Sequence, residues 1–91
     1  RADAEPLALP AAIHYNLDRH RASAAEYRKA LQFQPVRGMW WFGLAVALEL
    51  DGQSTQALEA FQGAAELPLD KPVENYVKQR IHILSNKDSN F

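Results

Sequence analysis

The sequence contains no cysteine, which excludes a disulfide framework, a thiol nucleophile and a thiolate zinc site, and which fits a reducing cytosol and a periplasm equally. Glycine is scarce too, at four residues, and no Gly-rich phosphate loop or G-x-S-x-G nucleophile elbow occurs. The longest apolar run, Met39 to Leu48, is half of the roughly 20 residues that a helix needs to cross a bilayer, and Glu49 breaks it. No direct membrane insertion is expected. Charge of one sign is not in excess either: ten Lys and Arg stand against eleven Asp and Glu for a net charge of -1, so nucleic acid is not an expected partner. His14, His20 and His82 are the only histidines, and no two of them have the i, i+4 spacing of a helical metal site, so no metal or other cofactor is expected.

What is present is the composition of an ordinary globular domain, 47% hydrophobic and 23% charged. Ninety-one residues make one small domain that buries only about 60–65% of the surface its unfolded chain exposes, so extra packing surface would matter to its stability. The chain begins at Arg1 without a leader and is expected to be part of a longer protein or a processed product.

The best-patterned stretch is Met39 to Pro68, which reads as two antiparallel helices hinged at Gly52. The first, Gly38 to about Asp51, is apolar nearly all round and should be covered on more than one side. Gly52 supplies a left-handed residue at its end, and Ser54 is the expected N-cap of the next helix, whose buried stripe is Ala57, Leu58, Phe61, Ala64 and Ala65. Gly63 inside that helix costs about 1 kcal/mol relative to Ala unless a neighbour approaches closely there.

Before this hairpin, residues 1–10 read as an extended entry segment, with Pro10 at the first turn of a short helix from Ala11 to about Arg19. A second helix from about Arg21 to Gln34 carries Ala24, Tyr27, Ala30 and Leu31 on one face, and Pro35 closes it. After the hairpin, Pro72 opens a helix to about residue 85 that places Val73, Tyr76, Val77, Arg80, Ile81 and Leu84 on one face, and residues 86–91 read as a fraying tail. The expected fold class is therefore all-α, with about five antiparallel helices.

Shifting the sequence by 34 residues lays Ser23 on Ala57, Tyr27 on Phe61, Ala30 on Ala64, Leu31 on Ala65 and Phe33 on Leu67. A 34-residue helix–turn–helix period resembles the tetratricopeptide repeat (TPR) family. Trp41, Leu44, Ala45, Leu48, Gly52, Ala57, Phe61 and Ala64 stand at the family's Trp, Leu, Gly, Tyr, turn-Gly, Ala, Phe and Ala positions. The departures are Ala45 in place of Gly, Pro68 one residue early, and Pro10 at a Leu position of the first copy. The resemblance implies repeat 1 at about 4–37, repeat 2 at about 38–70 and a capping helix at about 72–85, together a TPR-like domain over 11–85. The doublet Trp40-Trp41, the GLAVALELDG that follows and the final YVKQRIHIL are more narrowly similar to the C-terminal TPR region of the MshN proteins of MSHA-type type IV pilus biogenesis. That likeness implies a periplasmic location and a role in pilus or secretion assembly; without it a cytoplasmic location is expected.

No paired-carboxylate or nucleophile–base constellation is evident, since Asp18, Glu26, Glu49, Asp51, Glu59 and Glu66 are scattered over polar faces; no enzyme is expected. Arg19, His20, Arg21, Arg28, Lys29 and Arg37 read as turn and helix surface rather than as a nucleic-acid patch. The repeat register implies a concave face lined by Met39, Phe42, Val46, Glu49 and Leu50 from the middle helix and Val73, Tyr76, Arg80 and Ile83 from the last. TPR domains that grip acidic C-termini use Lys, Asn and Arg there, so this apolar face implies instead a protein or peptide segment with hydrophobic anchors. The expected function is a non-catalytic protein–protein interaction module. The alternative is a homo-oligomerisation domain whose groove is covered by a second copy or by missing repeats.

Overall fold

The computed structural model describes the backbone of residues 9–89 and the side chains of residues 19–86. Within those bounds the chain is all-α: α1 is Leu9–Phe33, α2 Gly38–Leu50, α3 Ser54–Ala65 and α4 Lys71–Ser89. Each helix packs on the next in chain order. Three- to five-residue connections leave consecutive helices antiparallel, and α1 with α2 shows it directly, because Arg21 lies opposite Asp51 while Tyr27 lies over Gly43. As a result α2 and α4 run in the same direction, with Phe42 beside Tyr76 and Glu49 beside Arg80.

The α2–α3 reversal is made by backbone chemistry that only Gly52 supplies. Its φ is 82°, the single positive φ among the described residues, and it lets two bonds close the end of α2. The Gln53 amide donates to the Leu48 carbonyl at 2.9 Å and the Gly52 amide to the Glu49 carbonyl at 3.0 Å, the pairing of a Schellman motif. The cap on the far side differs from expectation. Gln53, not Ser54, is the N-cap, and no side chain bonds the free amides of α3. Ser54 is already the first helical residue, so its hydroxyl lies too far along the helix to serve them.

The core forms where small residues let α2 and α3 cross closely. Ala45, Ala57, Phe61 and Ala64 are fully buried, and Leu44 and Leu48 from α2, Ala24 and Leu31 from α1, and Val77 and Leu84 from α4 close around them. Gly63 is explained by Trp41, whose ring lies against it: a methyl group there would stand 2.9 Å from Cε3. The indole Nε1 donates to the Pro35 carbonyl at 2.8 Å, which ties the α1–α2 connection to the same ring. Gly43 plays a similar part for Tyr27, whose ring occupies the space a side chain would need.

Four helices stand where about five were expected, and the difference lies at the start of the chain. No break occurs near residue 20; α1 is one helix of 25 residues. The sequence offers no reason for one, since neither Gly nor Pro occurs from residue 11 to residue 34 and the position 34 residues before Gly52 is Asp18. Asp18 lacks the conformational freedom that the Gly52 turn uses. The entry segment was expected to reach residue 10, but Leu9 and Pro10 belong to α1, where proline is tolerated because the first amides of a helix are unpaired anyway. The rest of that segment, residues 1–8, lies outside the described residues. At the other end α4 runs to Ser89, beyond the expected 85, as residues 85–89 contain neither Gly nor Pro to stop it; residues 90–91 of the expected tail lie outside the described residues.

Candidate functional site

Packing of α1 against α2 leaves one side of both helices open, and the opening is the candidate site. It is a groove of about 720 Å³ whose wall on α2 is Met39, Trp40, Phe42, Gly43, Val46, Ala47 and Leu50, whose wall on α1 is His20, Ser23 and Tyr27, and whose far edge is Tyr76 of α4. Helical spacing builds the α2 wall, because residues 39, 42, 43, 46 and 50 recur every three or four positions and so share a face. Tyr76 is held by two edge-on ring contacts, to Phe42 at 6.0 Å and to Phe61 at 6.3 Å between centroids. One edge of the groove is thereby anchored to the buried core.

Five of the nine residues expected to line a concave face meet here: Met39, Phe42, Val46, Leu50 and Tyr76. Met39, Leu50 and Tyr76 are 44%, 55% and 43% exposed, high for side chains of this size, and this marks the groove as an unfilled apolar surface. Glu49 and Arg80 are placed differently. They form a two-pronged ion pair across α2 and α4, Nε to Oε1 at 3.2 Å and Nη2 to Oε2, with each side chain 24% exposed. Their charges serve each other, and they act as a brace behind the groove. Val73 is half-buried beside the core, and Ile83 is exposed farther along α4; neither reaches the groove wall.

The sequence reading missed the α1 wall altogether. His20 was read as turn and helix surface and Ser23 and Tyr27 as part of the helix from about Arg21 to Gln34; the signal that could have found the wall is the small residue at Gly43, which lets the Tyr27 ring lie against α2. At the end of the groove, Asp51 closes a second polar cluster. Its side chain is only 2% exposed, screened by its own partners at the edge of the fold. The Gln53 amide, donating at 2.6 Å, does most to hold the Asp51 carboxyl below its ordinary range; partial burial opposes this, and the Arg21 guanidinium at 3.0 Å adds to the lowering.

A second cleft, of about 570 Å³, lies between α1 and α3 on the opposite side, lined by Leu31, Trp41, Leu48 and Gly63 among others. The Arg28 guanidinium donates to the Gln56 side chain across it at 2.7 Å, so it is bridged where the first groove is open. In comparisons with known proteins, no family model matches the chain, and no curated protein or solved structure does either. The reading of the groove therefore rests on its own residues.

Proposed function

We propose that the chain is a TPR-like protein–protein interaction module, without catalytic activity, that receives a partner segment with hydrophobic anchors in the groove between α1, α2 and Tyr76. The observation that carries this reading is the exposure of Met39 and Leu50 on the α2 wall and of Tyr76 on the far edge of one groove, backed by a buried core. Burial of apolar surface contributes about 25 cal/mol per Å², so a few anchors inserted here supply most of a modest affinity. The ion pairs behind and at the end of the groove support the same chemistry, because Glu49 is matched by Arg80 and Asp51 by Arg21, and an apolar segment entering the groove meets no unmatched carboxylate from α2. A role as an accessory in type IV pilus or secretion assembly rests on the sequence resemblance alone.

The test is a Phe42→Glu/Tyr76→Glu double variant, first checked by circular dichroism for intact helix, then assayed against the partner isolated with the wild-type chain. The reading predicts loss of binding. Wild-type affinity in a helical double variant would overturn it.

A further inference from the structure

The groove has a counterpart one repeat later in the chain. A shift of 34 residues carries Ser23 to Ala57, Tyr27 to Phe61 and Gly43 to Val77. The later three are all 0% exposed, at the junction where α2 meets α3 and reaches α4. The earlier three are only half-buried and face the open groove. What α2 does for α3 and α4, no helix among the described residues does for α1 and α2. The groove has the form of a seat for a helix in the position of α2, and the same shift assigns residues 4–16 to it.

Among the described residues, 9–16 do not fill that seat within their own chain, because α1 runs on. Arg21 of α1 is already level with Asp51 at the end of α2, so residues 9–18 extend past α2 by ten residues of continuous helix, about 15 Å. Asp18 stands where Gly52 makes the corresponding turn with a φ of 82°. Folding back at Asp18 would put a non-glycine residue into the left-handed region at a cost of about 1–2 kcal/mol. The overhang also suits the groove chemically. Residues 6–17 include no Asp, Glu, Lys or Arg, an uncharged stretch of twelve that matches an uncharged wall from Met39 to Leu48.

We propose that two copies exchange these segments, the N-terminal part of α1 from each, about residues 9–17, docking in the groove of the other. This rests on the reading of the groove as a segment-binding site and names its occupant. Exchange of an identical element is a low-cost route to a dimer, because each seat receives the contacts it would have received within one chain. It also explains why a domain of this size leaves so much apolar surface on one wall.

The absence of cysteine makes the test clean. The Glu49–Arg80 contact between α2 and α4 carries over by the 34-residue shift to Tyr15 and Val46, so the full-length variants Tyr15→Cys and Val46→Cys are mixed and treated with a short thiol-specific cross-linker. In parallel, sedimentation velocity is run on the wild type and on Asp18→Gly between 1 and 100 µM, roughly the range in which a modest apolar interface forms or dissociates. The proposal predicts a wild-type dimer, cross-linked heterodimers in the mixture, and a shift of at least about tenfold toward monomer for Asp18→Gly, with cross-links now forming inside a single Tyr15→Cys/Val46→Cys/Asp18→Gly chain. A monomeric wild type, a Tyr15–Val46 cross-link within one wild-type-background chain, or a dimer without that cross-link would each overturn it. A monomer that still binds an uncharged amphipathic helical peptide, with binding lost in Phe42→Glu, overturns the exchange and leaves the groove reading intact; a monomer that binds no such peptide sinks both.

Discussion

Trp41 lies against Gly63, so close that a methyl group on the glycine would stand 2.9 Å from Cε3 and 3.1 Å from two further ring carbons. The indole is also pinned by its bond to the Pro35 carbonyl, so it has little room to retreat. Gly63→Ala should recover about 1 kcal/mol of helix propensity and lose about 1–3 kcal/mol to overpacking. The expected outcome is a net loss of stability and a lower melting temperature by thermal denaturation. A raised melting temperature would show that the ring yields.

The Glu49–Arg80 brace joins α2 to α4 at a place where the two helices otherwise meet through Phe42 and Tyr76. Because both side chains keep 24% of their exposure, solvent weakens the pair, and a double-mutant cycle with Ala at each position should give a coupling of about 0.5–1 kcal/mol. The coupling should shrink in 1 M salt, where the screening length falls to about 3 Å. A coupling of zero at low salt would remove the brace from the account.

Asp51 makes a prediction about acid. Its folded carboxyl titrates below the ordinary value of 3.8 because of Gln53 and Arg21. A carboxylate whose folded pKa is lowered adds stability that is fully present above the unfolded value and is lost as pH falls through the folded one. The stability gap between wild type and Asp51→Asn, measured by urea unfolding, should therefore be constant from neutral pH down to about 5 and should narrow below 4. A gap that does not change with pH would assign the role of Asp51 to neutral hydrogen bonding alone.

Much of the architecture was legible because the residues that decide it act locally. Gly52 announces the α2–α3 turn by its own conformational freedom, and the alternation of small and large residues at Ala45, Leu48, Ala57 and Phe61 announces which faces pair. Met39, Phe42, Val46 and Leu50 of the α2 wall followed from the repeat register, while Trp40, Gly43 and Ala47 did not. The break expected near residue 20 was a different matter: the repeat register predicts a turn wherever its pattern recurs, but a turn needs a residue that can make it, and Asp18 is not glycine. Glu49 and Arg80 were read as lining because register fixes which face a residue occupies but not which side chain across the gap it can reach. Tyr27 was read as core by its equivalence to Phe61; its partial exposure depends on a helix that would have to lie over it, and no local pattern reports that.

The central claim is that the groove walled by α1, α2 and Tyr76 receives an apolar segment, and its most direct test is a fluorescence polarisation titration. A labelled, uncharged helical peptide with leucines at i, i+3, i+4 and i+7 is titrated with the wild-type chain, with Phe42→Glu/Tyr76→Glu and with Phe33→Glu, a residue 84% exposed and outside the groove. The account predicts saturable binding by wild type and Phe33→Glu, and an affinity at least about tenfold weaker, or 1.4 kcal/mol, for the double variant while its helical signal is retained. Equal affinities for all three proteins, or loss of binding in Phe33→Glu alone, would contradict it.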